Sequence, residues 1–500
     1  MRSQKREAPL TSEEAPSLRH KMLMVIIDHW VLMSVFVFAA VVWVVVFGMA
    51  AAVFVNDGPE PFRAAWNGVG EINLFGFTLP LRFEGWADYD YYYVSWADQF
   101  LVGIMPYSHA FEYHFVDAVE YHIPYFFPPC FLYVCALGRI LPLQPFGIGL
   151  VLSLFGYFTA LPIYGIAENL SGNKHVGEIS AAVYLFNPLV LYYTTYEWLN
   201  PAPFVFFAML SFYLAITGHR VAAALAMVTS ALFKQTAFFL GIPLIAYLLK
   251  VPPQTAHQVG DTVSEDQKRP AGDRLDLRGF VRIAAVVILY AGALSMPYLF
   301  DPVNYVYYVF QRVGATLLTD LTHLPPATNP ITLAVVFIVL GAPEWLTQSV
   351  NLATYYTVGL LVGLLPIMAL MLLEVKDDRN IKGYWRRLLF LSLMMMLWVH
   401  LFSPRGIYKY YTVALLPFFS VLSTSAMCSK ESTEVHPSLW MVLIPFILSL
   451  LILIPDRNVY LIFLLIAFVA YALHSQFSLV NSVFRTGGGL IRKRVRNLHS

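Results

Sequence analysis

Of the chain's 500 residues 58% are hydrophobic and only 13% charged, and the mean hydropathy is +0.63. A water-soluble fold could not hide that much apolar surface, so the bilayer is the solvent. The net charge of +1 comes with basic residues in short clusters at the ends and between apolar runs, which excludes a cationic stripe and with it a nucleic-acid partner. Cys130, Cys135 and Cys428 lie in or beside apolar runs without paired spacing and indicate neither a disulfide framework nor a zinc site.

In chain order, residues 1–21 form a basic tail, and the apolar run that follows, 22–54, is too long for the core of a signal peptide and is expected to be a retained anchor. A long polar segment, 56–123, separates it from further apolar runs at 124–141, 146–166, 179–196, 203–217, 221–250, 280–297, 352–373, 387–402, 412–428, 437–454 and 459–480, with a weaker one at 329–342. A spanning helix needs about 20 such residues, so the reading is an all-α integral membrane protein of roughly 11–13 transmembrane helices. Lys and Arg cluster at Arg2–Lys21, Lys250–Arg282, Lys376–Arg387 and Arg492–Arg496, which the positive-inside rule assigns to the cytoplasm together with both ends. The run 221–250 is interrupted by Lys234-Gln235 and fits one helix or two short ones. The polar linker 251–279 divides an N-terminal membrane half, 22–250, from a C-terminal half, 280–482, and a basic tail, 483–500, follows.

Most of the chemistry is in the extracytoplasmic loop 56–123. Tyr93, Trp96, Ala97, Phe100, Leu101 and Ile104 are spaced for one face of a helix lying in the membrane interface. Just before it stand Asp88 and Asp90, and Asp is favoured at helix N-caps, so Asp90 is expected to cap this helix. Either carboxylate could alternatively serve as a general base. Glu112-Tyr-His114 and Glu120-Tyr-His122 hold metal-ligand types but read better as a solvated acidic loop.

Asp88-Tyr-Asp90-Tyr91, then Gly103-Ile-Met-Pro106-Tyr107, then Pro128-Pro129 at a helix start resemble the first outer loop of the GT-C glycosyltransferase superfamily. The likeness is greatest to mannosyltransferases that use a polyprenyl-phosphate sugar, such as the enzyme adding the first mannose to GPI precursors. Weaker echoes are Asn187-Pro188, Lys234 followed by Pro243, and Tyr408-Lys409-Tyr410-Tyr411. The Trp-Trp-Asp signature of oligosaccharyltransferases is absent.

The resemblance implies a GT-C-like bundle that moves a single sugar, mannose by preference, from a polyprenyl-phosphate donor to a glycan or glycolipid acceptor. Asp88 or Asp90 would be the base, and Tyr91, Tyr107, Glu197 and Tyr408 would line the pocket. Charge building on the departing phosphate requires cations, for which Arg312, Arg405, Lys409 and Lys234 are the candidates. Arg405 and Lys409 also fit snorkelling residues at a helix end, whereas Lys234 inside an apolar run costs about 3 kcal/mol unless it faces a cavity or a helix break. No cofactor is required; a divalent cation is compatible with the Asp pair. The partners expected are membrane lipid and the two substrates, in a prokaryotic plasma membrane by preference or the endoplasmic reticulum. A transporter and a polysaccharide polymerase or ligase are the rival readings.

Overall fold

The computed structural model describes residues 28–56, 66–122 apart from 75–76, 85, 87 and 117–118, then 124–250, 275–311, parts of 337–349, 357–374, 376, 380–401, 409–425, 438–452 and 457–498. The weak run 329–342 and the linker therefore fall largely outside the described residues.

The anchor forms α1, Trp30–Asn56, 27 residues without a charge. Only 11% of its most apolar window is buried, so most of its circumference meets lipid. After it come two hairpins that the apolar pattern did not announce. Strand β1, Trp66–Leu74, pairs antiparallel with β2, Phe77–Glu84, with a bulge between Gly68 and Gly70. A π-helical turn, Tyr89–Val94, runs into α2, Ser95–Leu101, and α3, His109–Glu112, leads to β3, Tyr113–Val116, paired with β4, Val119–His122. Tyr93, Trp96 and Ala97 of the expected interfacial helix are buried, whereas Leu101 is exposed.

Helix α4, Pro129–Ile140, takes up only part of the run 124–141. Its 12 residues rise about 18 Å, and it packs along α2. Near its end Arg139 grips both oxygens of Asp98, at 2.7 and 3.0 Å.

The crossings begin again with α5, Gly147–Phe158, and α6, Ala160–Ser171, which together form a 25-residue span. Helix α7, Lys174–Leu185, starts beside the beginning of α1, where Lys174 bonds Asp28 at 2.9 Å, and continues through Asn187-Pro188 and a π-helical stretch, Leu191–Tyr196, back to the loop layer. Helix α8, Pro201–Ile216, descends again. The interrupted run then resolves into two 12-residue helices, α9, Arg220–Ala231, and α10, Ala237–Leu248, with Lys234 at the tip of the hairpin. Arg220 at the start of α9 bonds Asp276, which caps α11, Leu277–Leu294.

In the C-terminal half, α12, Thr357–Leu373, and α13, Ile381–Leu401, pack together, and α13 also touches α10. Helices α14, Leu416–Ser425, α15, Trp440–Ile452, and α16, Arg457–His474, follow, and a break bends the chain by 77° into α17, Phe477–Leu498. The protein is thus an all-α membrane protein whose only described strands are the two loop hairpins. It has two faces. The loop face carries 66–122, α4 and Lys234; the opposite, basic face carries Lys174, Arg220, Lys250 and the start of α13.

Candidate functional site

Asp88 opens the π-helical turn and occupies its N-cap position, but in helical conformation and with no side-chain cap bond. Asp90, expected as the cap, instead lies inside the turn as its second residue; its side chain is outside the described residues. π-Helical turns insert one residue per turn and re-aim the side chains around them. Three bonds fix this one. Trp86 Nε1 donates to the Tyr196 carbonyl at 2.6 Å, and the Tyr89 hydroxyl donates to the Pro145 carbonyl at 2.7 Å while accepting from the Gly149 amide at 3.2 Å. Gly149 is required there: a Cβ would lie 2.5 Å from the Trp198 ring. Trp198 itself holds φ +56, a strained value for a non-glycine residue.

These contacts bring Glu197 and Asn200 to the loop face, as the pocket reading of Glu197 requires, and Glu197 is 1% exposed. Asn200 links the layer to the hairpin. Its Nδ2 donates to the Tyr93 hydroxyl at 2.9 Å, and its Oδ1 accepts from Lys234 Nζ. The ammonium lies 4.4 Å from the Tyr411 ring centre and 5.0 Å from that of Tyr410, with Phe127 and Phe204 at 6.0 and 5.9 Å. Lys234 therefore faces a helix break, in an aromatic cage that can hold a cation out of water. Asp88 stands five residues, one π-helical turn, before Tyr93 in the chain. His400, at the end of α13, stacks on Tyr411 at 5.3 Å and is 3% exposed; its Nδ1 has no bond partner among the described residues. No local pattern marked His400, Tyr93 or Asn200 as members of one cluster, because they come from separate elements.

The other described candidates, Lys409, Tyr91 and Tyr107, make contacts of their own. The Lys409 ammonium is 1% exposed and donates to the Ile452 carbonyl at 3.0 Å, where it satisfies an acceptor that the end of α15 leaves open. It does not extend to water. Tyr91 packs edge-on against Tyr92. Tyr107 belongs to a second aromatic group, stacked at 5.3 Å on Tyr308, whose hydroxyl donates to Glu112 at 2.9 Å. Burial, then Tyr305 and the carboxylates of Asp301 and Glu112, push the Tyr107 phenol well above its ordinary pKa, and its φ of +71 stores strain of about 1–3 kcal/mol. Arg312, Arg405 and Tyr408 lie outside the described residues, as do the side chains of His114, Glu120 and His122. Among the described residues no three metal-ligating side chains come together.

Residues 121–326, about two fifths of the chain, match the sequence family described as GPI transamidase subunit PIG-U. No curated protein is similar enough in sequence to match. The family finding corrects the expected activity. A transamidase subunit is not an enzyme that takes mannose from a polyprenyl-phosphate donor, so neither the glycosyltransferase function nor a catalytic role built on that donor stands. What survives of the expectation is the coarser statement, an all-α membrane protein with several apolar helices.

Proposed function

We propose that the protein is a membrane subunit of a GPI transamidase, working in the endoplasmic reticulum with its loop face towards the lumen. The observation that carries this reading is where the family match falls: residues 121–326 include Glu197, Asn200 and Lys234, together with the hairpin that carries Lys234. The sidedness is supported by the basic clusters on the opposite face. In this role the cluster around Lys234 receives the polar head of a glycolipid rather than performing group transfer. Lys234 and Asn200 supply hydrogen-bond donors, Tyr93, Tyr410 and Tyr411 supply ring faces on which sugars stack, and Asp88 accepts from a sugar hydroxyl.

The test is depletion of the protein from cells that carry a GPI-anchored reporter. Uncleaved reporter should accumulate together with complete, unattached glycolipid, and the unaltered chain should reverse both effects. Normal processing of the reporter in depleted cells would refute the proposal.

A further inference from the structure

The last described element, α17, leaves the bundle on the basic face, and the bonds of α16 show it. Tyr460 near the start of α16 bonds Thr412, just before α14, and Tyr471 near its end accepts from Ser423, in the last turns of α14, at 3.2 Å. The start of α14 lies with the loop face, since Tyr410 and Tyr411 cover Lys234, so α16 ends on the opposite side. The corner between α16 and α17 is pinned there. Gln476, 4% exposed, donates to the Leu422 carbonyl and to the Tyr471 hydroxyl, each at 3.1 Å, and His474 accepts from Trp440 at 2.9 Å. The chain turns by 77° at this corner, so the helix that continues from a spanning one runs close to the membrane plane.

The sides of α17 differ. Leu479 and Val483 pack on the buried core, and Val483 is 3% exposed, whereas Phe477 and Phe484, seven residues apart on one stripe, are 58% and 68% exposed. Positions 491, 495 and 498 continue that stripe at helical spacing and hold Ile, Val and Leu. Positions 485, 492 and 496 fall on the flank beside it, and all three are Arg. With Lys493 and Arg494 the helix carries five cations and no Asp or Glu, so its positive charge comes from its own composition. A second observation is independent of charge. Gly487, Gly488 and Gly489 stand in mid-helix, where each disfavours helix about 5-fold relative to Ala. A Cβ at Gly488 or Gly489 would meet nothing within 4 Å among the described residues. A helix that glycine weakens and that no described residue covers there needs another surface to form against. We propose that α17 lies on the membrane surface of the basic face and binds acidic phospholipid headgroups through its basic flank, with Phe477 and Phe484 in the acyl layer. A lipid surface supplies hydrocarbon for the stripe and anions for the flank side by side, which an acidic protein segment does not. The inference does not depend on the transamidase reading.

The experiment follows amide hydrogen exchange of the full chain in nanodiscs of phosphatidylcholine alone and of phosphatidylcholine with phosphatidylserine. A cation close to an acidic surface contributes about 5-fold to binding, so amides of 486–498 should exchange at least about 10-fold more slowly when phosphatidylserine is present. Those of α1, within the same sample, should not change. Arg492→Gln combined with Arg496→Gln should reduce the slowing by up to about 25-fold, and Phe484→Ser should quicken exchange in both kinds of disc. Three results would each overturn the proposal. They are equal exchange in the two discs, an undiminished gain in the double variant, and unchanged exchange in Phe484→Ser, which would mean that the stripe does not enter the bilayer.

Discussion

Lysines are buried at both faces of the molecule, and the two sites handle them differently. On the loop face Lys234 is met by an amide oxygen and four aromatic rings, drawn from the ends of α4, α8 and the hairpin and from the turn before α14. On the basic face Lys250 and Lys376 are met by one backbone carbonyl and two phenol rings, and an arginine–carboxylate pair stands alongside. In the first cluster the cation ties a hairpin tip to the layer above it through Asn200. In the second the ion pair of Arg387 and Glu374 joins the start of α13 to the end of α12. A buried cation is therefore not a single kind of feature: a side-chain amide and ring faces hold the first lysine, a main-chain carbonyl and ring faces the others.

The sharpest way to break this contrast is at the ion pair. Arg387→Ala strands Glu374, whose side chain is 2% exposed, and should lower the unfolding free energy by about 3–5 kcal/mol, read from thermal or denaturant unfolding. A loss below about 1 kcal/mol would show that the pair behaves like one at an open surface. Lys234→Met keeps the stem but deletes the charge-assisted bond to Asn200 and the ring contacts, for a loss of about 3 kcal/mol. The same change at Lys376, whose ammonium lies 4.4 Å from the Tyr247 ring centre, should cost less, about 1 kcal/mol, and equal losses at the two lysines would erase the distinction.

A smaller effect is expected where Arg220 meets Asp276, at side-chain exposures of 17% and 24%. Asp276→Asn should lower stability by up to about 1 kcal/mol. The bond to Arg220, then that from the Gly279 amide, hold the Asp276 carboxyl below its ordinary 3.8, so its contribution is complete above that pH and is lost as pH falls through the depressed value. A stability profile of the Asp276→Asn variant should therefore converge on that of the parent only in acid. Convergence at neutral pH would mean that the pair contributes nothing.

How much of this was legible in the sequence differs between the two faces. The helix at 95–101 could be read because Trp96 and Ala97 obey helical spacing, and Lys234 could be singled out because a charge within an apolar run needs a reason. The break at Lys234 also signalled the hairpin. Composition failed at Asp90, because an N-cap depends on which residue ends the non-helical stretch, and here helical conformation already begins at Asp88. The partners of Lys234 were not legible at all: Asn200, His400, Tyr410 and Tyr411 are joined by tertiary contact, which leaves no mark on local spacing. On the basic face the clusters were read for their charge alone, and their burial beneath Tyr247 and Tyr384 appeared only in three dimensions.

The hairpin of α9 and α10 also bears on how the protein is made. Each arm rises about 18 Å, well short of a hydrocarbon core of about 30 Å, so neither arm alone is a competent stop for the insertion machinery. The two must leave the channel together as one unit, with a cation at the leading tip. Tyr410 and Tyr411, which cover that cation, are synthesised only after most of the second half. Until they arrive the first half carries an incompletely sheltered charge, so the seating of the hairpin tip is completed only by the second half of the chain.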